Sequence, residues 1–244
     1  MQISSIFCLT LAAAASAIPT QVSKIIGNVK RQAPVESSIW GNSITGSPEY
    51  YDNNWANVTL PFPISFYGVN YSNLWVSING ILSPGPEQIQ YPDTSSAIQN
   101  HIPVDSIAVG AGQERPDLPW VPEKALFALW QDLFVENAPI ALHAVWTTTS
   151  GSAPSRIITF SWKVSSEGVV GGQIVEPEFS VSFREARPYI ARIEYTDVAD
   201  KGINAVIGIQ SSFSTGVEWS YKTEALFNGD ILAVNLDTQT FNIS

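Results

Sequence analysis

The stretch that decides the fold is Glu178-Phe179-Ser180-Val181-Ser182-Phe183-Arg184. Phe179, Val181 and Phe183 alternate with charged and hydroxyl side chains, the period of two that sends successive side chains to opposite faces of a strand. Tyr189-Ile190-Ala191-Arg192-Ile193-Glu194-Tyr195 repeats the pattern, and the link at 185–188 reads as a hairpin turn. One apolar and one polar face per strand is what an antiparallel sheet with one solvated side produces. The signal recurs at Leu74-Trp75-Val76-Ser77-Ile78, where Trp75 and Ser77 face away from Leu74, Val76 and Ile78. Further strands fit 58–60, 64–67, 125–130, 141–147, 157–162, 205–210, 218–221 and 231–236. Extended helical periodicity is missing, and only 95–101 reads as a helical turn. Many short strands punctuated by Gly, Pro and Asn predict an all-β fold: an antiparallel β-sandwich, jelly-roll-like, with long Pro/Gly-rich loops.

Two stretches interrupt the strands. Residues 83–122 hold Pro84, Pro86, Pro92, Pro103, Pro116, Pro119 and Pro122, with Gly85, Gly110 and Gly112 between them. Proline at this density breaks strand ladders, so most of the stretch is predicted to be loop, and long loops in compact domains are usually functional. It is the first place to look for a binding surface. Residues 165–177, with Gly168, Gly171 and Gly172, form a second predicted loop beside it.

The front of the chain predicts export. Residues 1–17 carry an apolar run that closes on Ala15-Ser16-Ala17, the A-x-A pattern of a secretory cleavage site. The run is short of the roughly 20 residues of a membrane-spanning helix. Residues 18–31 contain no acidic residue and end in Lys30-Arg31, a dibasic processing site. The expected organisation is therefore a signal peptide at 1–17, a propeptide at 18–31 and a single β-sandwich domain at 32–244.

The whole chain has 12 basic and 22 acidic residues. Beyond Arg31 the balance is nine against 22, a net charge of −13. That argues against nucleic acid and anionic membrane surfaces, which are bound through clustered Lys and Arg. The single cysteine, Cys8, lies in the leader, so no thiol chemistry, cysteine metal site or disulfide is available to the processed domain. Its own core must hold it. With 45% hydrophobic and 14% charged residues, the composition is that of a packed globule. Asn57-Val58-Thr59, Asn70-Tyr71-Ser72 and Asn242-Ile243-Ser244 match the N-glycosylation sequon, which acquires meaning from the leader.

Leu60-Pro61-Phe62-Pro63-Ile64-Ser65-Phe66-Tyr67-Gly68, then Tyr71, then Val76-Ser77-Ile78-Asn79-Gly80, resembles the nidogen-type extracellular domain and related secreted β-sandwich modules. Trp130-Gln131-Asp132-Leu133, the 151–162 segment, Glu194-Tyr195 and Ile207-Gly208-Ile209-Gln210 follow in matching order, so the resemblance covers residues 47–210. It implies matrix or cell-surface interaction. The motifs are fold-defining: Phe62, Phe66 and Tyr67 supply aromatic faces, Gly68 permits a turn, and Asn79-Gly80 is a hairpin signal.

Candidates for chemistry are few. Neither H-E-x-x-H nor G-x-S-x-G occurs, so zinc-peptidase and α/β-hydrolase machinery lack their parts. Glu178, Glu185 and Glu194 are the most pair-like carboxylates for a glycosidase, although outward glutamates on a sheet are ordinarily solvent-facing charges. Asp132 either caps a turn or contributes to a cation site with Glu136 and Asn137. His101, in the long loop, is a candidate binding residue, and His143 reads as structural. Trp75, out of phase with its apolar neighbours, and Trp120, among the loop prolines, either stack on a ligand or plug gaps over the core. These observations predict a secreted, glycosylated binding or adhesion domain without a cofactor. Its expected partner is extracellular matrix, a cell-wall glycan or a protein ligand. The alternatives are a carbohydrate-active hydrolase using paired carboxylates and a small-molecule enzyme on the same scaffold.

Overall fold

The structure, a computed structural model, describes residues 34–41, 50–52, 54–85, 101–103, 121–138, 141–166, 169–170 and 173–243. The predicted leader and propeptide, the helical turn at 95–100 and Trp120 lie outside the described residues.

Two antiparallel sheets dominate. The seven-stranded sheet runs in the order β1 (Val35–Trp40), β9 (Ala144–Ser150), β10 (Ile157–Lys163), β14 (Glu178–Arg184), β15 (Arg187–Asp197), β18 (Ile231–Asn235) and β19 (Thr240–Ile243). The six-stranded sheet runs β17 (Thr215–Tyr221), β16 (Val206–Ser212), β6 (Ala125–Trp130), β5 (Ile81–Ser83), β4 (Val69–Ser77) and β3 (Trp55–Phe66). A smaller sheet joins β11 (Ser165–Ser166), β7 (Leu133–Ala138) and β2 (Tyr50–Asp52), with β8 (Ala141–Leu142) on β7. The predicted loop at 165–177 instead carries β11 and the short pair β12 (Val169–Val170) and β13 (Gln173–Ile174). No helix occurs among the described residues.

The alternation along 178–184 does what period two requires. Phe179, Val181 and Phe183 are buried, as are Ala191, Ile193 and Tyr195 on the neighbouring strand. Trp162 stacks on its cross-strand partner Phe179 at 4.9 Å, and Phe160 meets Phe183 edge-on at 6.2 Å. These rings belong to one core shared with Leu74, Val76, Leu126 and Ile207 of the other sheet. Each such side chain contributes on the order of 2 kcal/mol when removed from water. Two buried side chains also bond across the sandwich: Trp162 Nε1 donates to the Ser77 carbonyl (3.0 Å), and the Tyr195 hydroxyl to that of Ala128 (2.7 Å). Burial, and secondarily the nearby Asp230 carboxylate, push the Tyr195 phenol well above its ordinary pKa.

Two predicted strands, 58–60 and 64–67, are one strand with an interruption. The β3–β4 ladder lapses between Thr59 and Ile64, where Pro61 and Pro63 have no N–H to donate. The break is tolerated because β3 is an edge strand. Its hairpin to β4 closes through Tyr67 (φ 54°) and Gly68 (φ 75°), the paired positive φ values of a type I′ turn. Asp237 Oδ1 accepts from Gly68 N and Ser65 Oγ, both at 2.9 Å, and ties this tip to the β18–β19 turn. The turn predicted at 185–188 is tighter: Arg184 pairs with Arg187, leaving Glu185-Ala186 as the loop.

Candidate functional site

The outer face of the six-stranded sheet carries part of the proline-rich stretch. Every residue of β6 is buried, so something covers both its faces. On the outside, Ala125, Phe127 and Trp130 join Ile81 and Val206 in a second apolar cluster, capped by Ile102 and Val121. Those two residues come from the proline-rich stretch, which is anchored at Ile102 by Glu218 of β17 and at Pro122, next to Val121, by Gln210 of β16.

The first anchor is built on Glu218. His101 Nδ1 lies 2.9 and 3.0 Å from the two Glu218 carboxylate oxygens, and Ile102 N donates to one of them at 2.9 Å. The His101 ring stacks on Tyr221 with centroids 3.6 Å apart. Ile102 fits a socket floored by two strand glycines: a Cβ on Gly208 would fall 2.5 Å from Ile102 Cδ1, and one on Gly216 2.6 Å from its Cγ2. The second anchor is Gln210, fully buried, whose Nε2 donates to the Pro122 carbonyl at 2.7 Å. Between the stretch's exit and return lies an open pocket of about 110 Å³ lined by Tyr71, Ser83, Pro84, Gly85, Pro122, Glu123 and Lys124.

Trp75 occupies the same face. It stands in register opposite Asn57 on β3 and Ser83 on β5, and it is partly buried. Asn57 and Asn70 are exposed on β3 and β4, and Asn242 is exposed on β19. His101 is 70% exposed at its side chain, with its imidazole oriented by Glu218.

Of the three candidate carboxylates, Glu185 stands apart from the other two. Glu178 and Glu185 flank β14 at opposite ends, on the order of 20 Å apart along the strand. Glu185 is committed to Arg156, which donates through its backbone N, Nε and Nη2. Those hydrogen bonds hold its carboxyl below the usual range and raise the guanidinium. Glu194 shares the outward face with Glu178 and pairs with Arg192 at 2.6 Å. Asp132 sits half-buried between β6 and β7, and no cluster of three His, Cys, Asp or Glu residues occurs among the described residues. His143 is buried, its Nε2 3.5 Å from Glu176.

Sequence reasoning missed Glu218, Tyr221 and Gln210. Glycine inside the strands at 208 and 216 was the available signal, since a strand glycine marks close approach by another chain segment. It also took Asn79-Gly80 for a plain hairpin turn. Asn79 is fully buried, and its Oδ1 accepts from Leu133 N at 2.7 Å, while the Gly80 carbonyl accepts from Ala128 N at 2.9 Å. The turn therefore locks the start of β7 and the centre of β6 to the β4–β5 connection.

With this arrangement in view, the match to a family model described as NIDO related, over residues 37–242, takes in both sheets and both anchors. The chain belongs to the NIDO-related family. It is a nidogen-related domain of the extracellular type. No curated protein and no solved structure gives a significant match. No helix among the described residues is long and apolar enough to cross a membrane.

Proposed function

We propose that this NIDO-related chain is a secreted, N-glycosylated recognition domain. Its leader is removed after Ala17 and its pro-segment after Lys30-Arg31, and it binds an extracellular matrix, cell-wall glycan or protein ligand through the outer face of the six-stranded sheet. The observation that carries this reading is the double anchoring of the proline-rich stretch by Glu218 and Gln210. A segment held on a rigid sheet at its middle and at its return is the usual way a scaffold presents a recognition surface. The strongly acidic balance favours a neutral glycan or a basic protein surface over an anionic polymer.

The test is secretion from a eukaryotic host, N-terminal sequencing of the product, and a glycan and matrix-protein array, with polysaccharide hydrolysis assayed in parallel. The expected result is an N-terminus at Gln32 and binding without turnover, lost in Trp120→Ala. Retention inside the cell with the leader intact would overturn the reading. Sugar release abolished by Glu178→Gln would replace it with a hydrolase.

A further inference from the structure

Asn57 and Trp75 are a cross-strand pair on the outer face of the six-stranded sheet. Their Cβ atoms therefore stand about 5 Å apart and project the same way. Asn57 and Thr59, the two recognised positions of its sequon, are both exposed. The strand that bears them is a sheet edge. Trp75 is a large, partly buried ring at an outward position, beside exposed Asn73 and next to that edge.

We propose that Trp75 is the seat of an N-linked glycan on Asn57, the first N-acetylglucosamine lying across the indole. This rests on the secretory reading above, which supplies the donor, a lipid-pyrophosphate-linked oligosaccharide. In the transfer, Asn57 Nδ2 forms a bond to the anomeric carbon of the donor sugar, and the sugar–pyrophosphate bond breaks. The lipid pyrophosphate departs with the electron pair, and one amide proton is lost. The C–H face of the attached sugar then covers a ring that sheet neighbours leave partly exposed, a match of apolar body to apolar body with the hydroxyls turned to water. A bulky polar group beside an edge strand also obstructs pairing with a second copy.

The other sequons provide an internal control. In register, Asn70 faces Ser65 and Asn242 faces Ala233, so neither has an aromatic partner across the strand.

The experiment uses the full chain secreted from a eukaryotic host, with site occupancy read by mass spectrometry. Melting temperatures are compared for the wild type, Asn57→Gln, Trp75→Ala and the double variant, with Asn70→Gln as control. Asn57 is expected to be occupied, and its loss to lower Tm by about 2–4 °C only where Trp75 is present. Trp75→Phe, which keeps an aromatic face, retains part of the effect. In protein trimmed to single N-acetylglucosamines, one set of sugar protons is shifted upfield by the indole ring current, and the shift disappears in Trp75→Ala. An equal loss of Tm on removing Asn57 in both backgrounds, or no shifted sugar protons, would overturn the proposal. So would an empty Asn57 in a secreted chain that carries sugar at Asn70. Retention of the unglycosylated chain inside the cell would instead sink the secretory reading, and this inference with it.

Discussion

β14 and β6 are both short interior strands, and they bury their side chains differently. In β14, three apolar residues point into the core while Ser180 and Ser182 stay half-exposed. In β6 all six residues are buried, because Ile102 and Val121 cover outside what the opposing sheet covers inside. The first strand takes its orientation from local alternation and one shared core. The second depends on a segment that departs after β5 and returns to be held by β16 and β17. The difference teaches that one sheet is specified mainly by pattern and the other by particular residues at particular places. Substitutions should therefore be felt unequally in the two regions.

The largest expected effect is at Gly80. It and Gly68 share φ near +75°, so an L side chain costs about 1–2 kcal/mol at either position. At Gly68 an added Cβ meets nothing within 4 Å, whereas at Gly80 it overlaps the Leu129 carbonyl oxygen and closes on Phe179. Gly80→Ala should cost more than about 4 kcal/mol, a large share of a domain's stability, and Gly68→Ala little beyond the conformational cost. Chemical denaturation of the two variants measures the gap. Equal losses would mean that the Asn79-Gly80 turn does not lock β6.

Next in size is Ile102. Ile102→Ala empties the socket over Gly208 and Gly216 and is expected to cost about 2–4 kcal/mol. Hydrogen exchange should accelerate at the Ile102 amide and across β6 while β14 and β15 remain protected. Uniform acceleration through both sheets would erase the contrast between them.

How much of this was legible follows from the same contrast. The alternation at 179–183 and 191–195 showed which face of the seven-stranded sheet is buried, because period two needs no knowledge of the rest of the chain. The Tyr67-Gly68 turn was readable from Gly68 and its aromatic neighbours. Pro61 and Pro63 split one strand into two, since a proline's lost hydrogen bond is visible in sequence but the edge position that excuses it is not. The outer face was largely hidden. Ile102 is one apolar residue among prolines, and Glu218 lies 116 positions away from it. Of the three candidate glutamates, Glu185 and Glu194 gain Arg156 and Arg192 as partners only through folding and register, which the sequence does not display.

A smaller effect separates the two inter-sheet hydrogen bonds from the packing around them. Tyr195→Phe keeps the ring and removes the bond to the Ala128 carbonyl, costing about 1–2 kcal/mol. Its pH dependence carries the sharper signal. Tyr195 has a folded pKa raised above that of the unfolded chain, so its contribution is complete below about pH 10 and is lost as pH rises toward the folded value. Tyr67, also raised by burial, adds to the same alkaline limb. Tyr195→Phe should flatten that limb without removing it. An unchanged alkaline profile would show that the phenol is not what resists ionisation there.

The smallest effect lies at the β14–β15 hairpin, where Glu185 and Arg156 meet at the surface. The Glu185 carboxyl is depressed by the Arg156 hydrogen bonds, so the sign is opposite to that of Tyr195. Its contribution is complete above the unfolded glutamate pKa of about 4.3 and is lost as pH falls through the lower folded value. Glu185→Gln should therefore leave neutral stability nearly unchanged, as screened surface pairs usually do, and reduce the loss of stability as pH falls below the unfolded glutamate pKa. Because Glu185 also accepts from the Arg156 amide, the neutral glutamine keeps an acceptor there and isolates the charge. If Glu185→Gln instead lowered stability strongly at neutral pH, the regular sheet would depend on a single ionic clasp at its turn, as the six-stranded sheet depends on Glu218, and the two regions would differ less than their burial patterns imply.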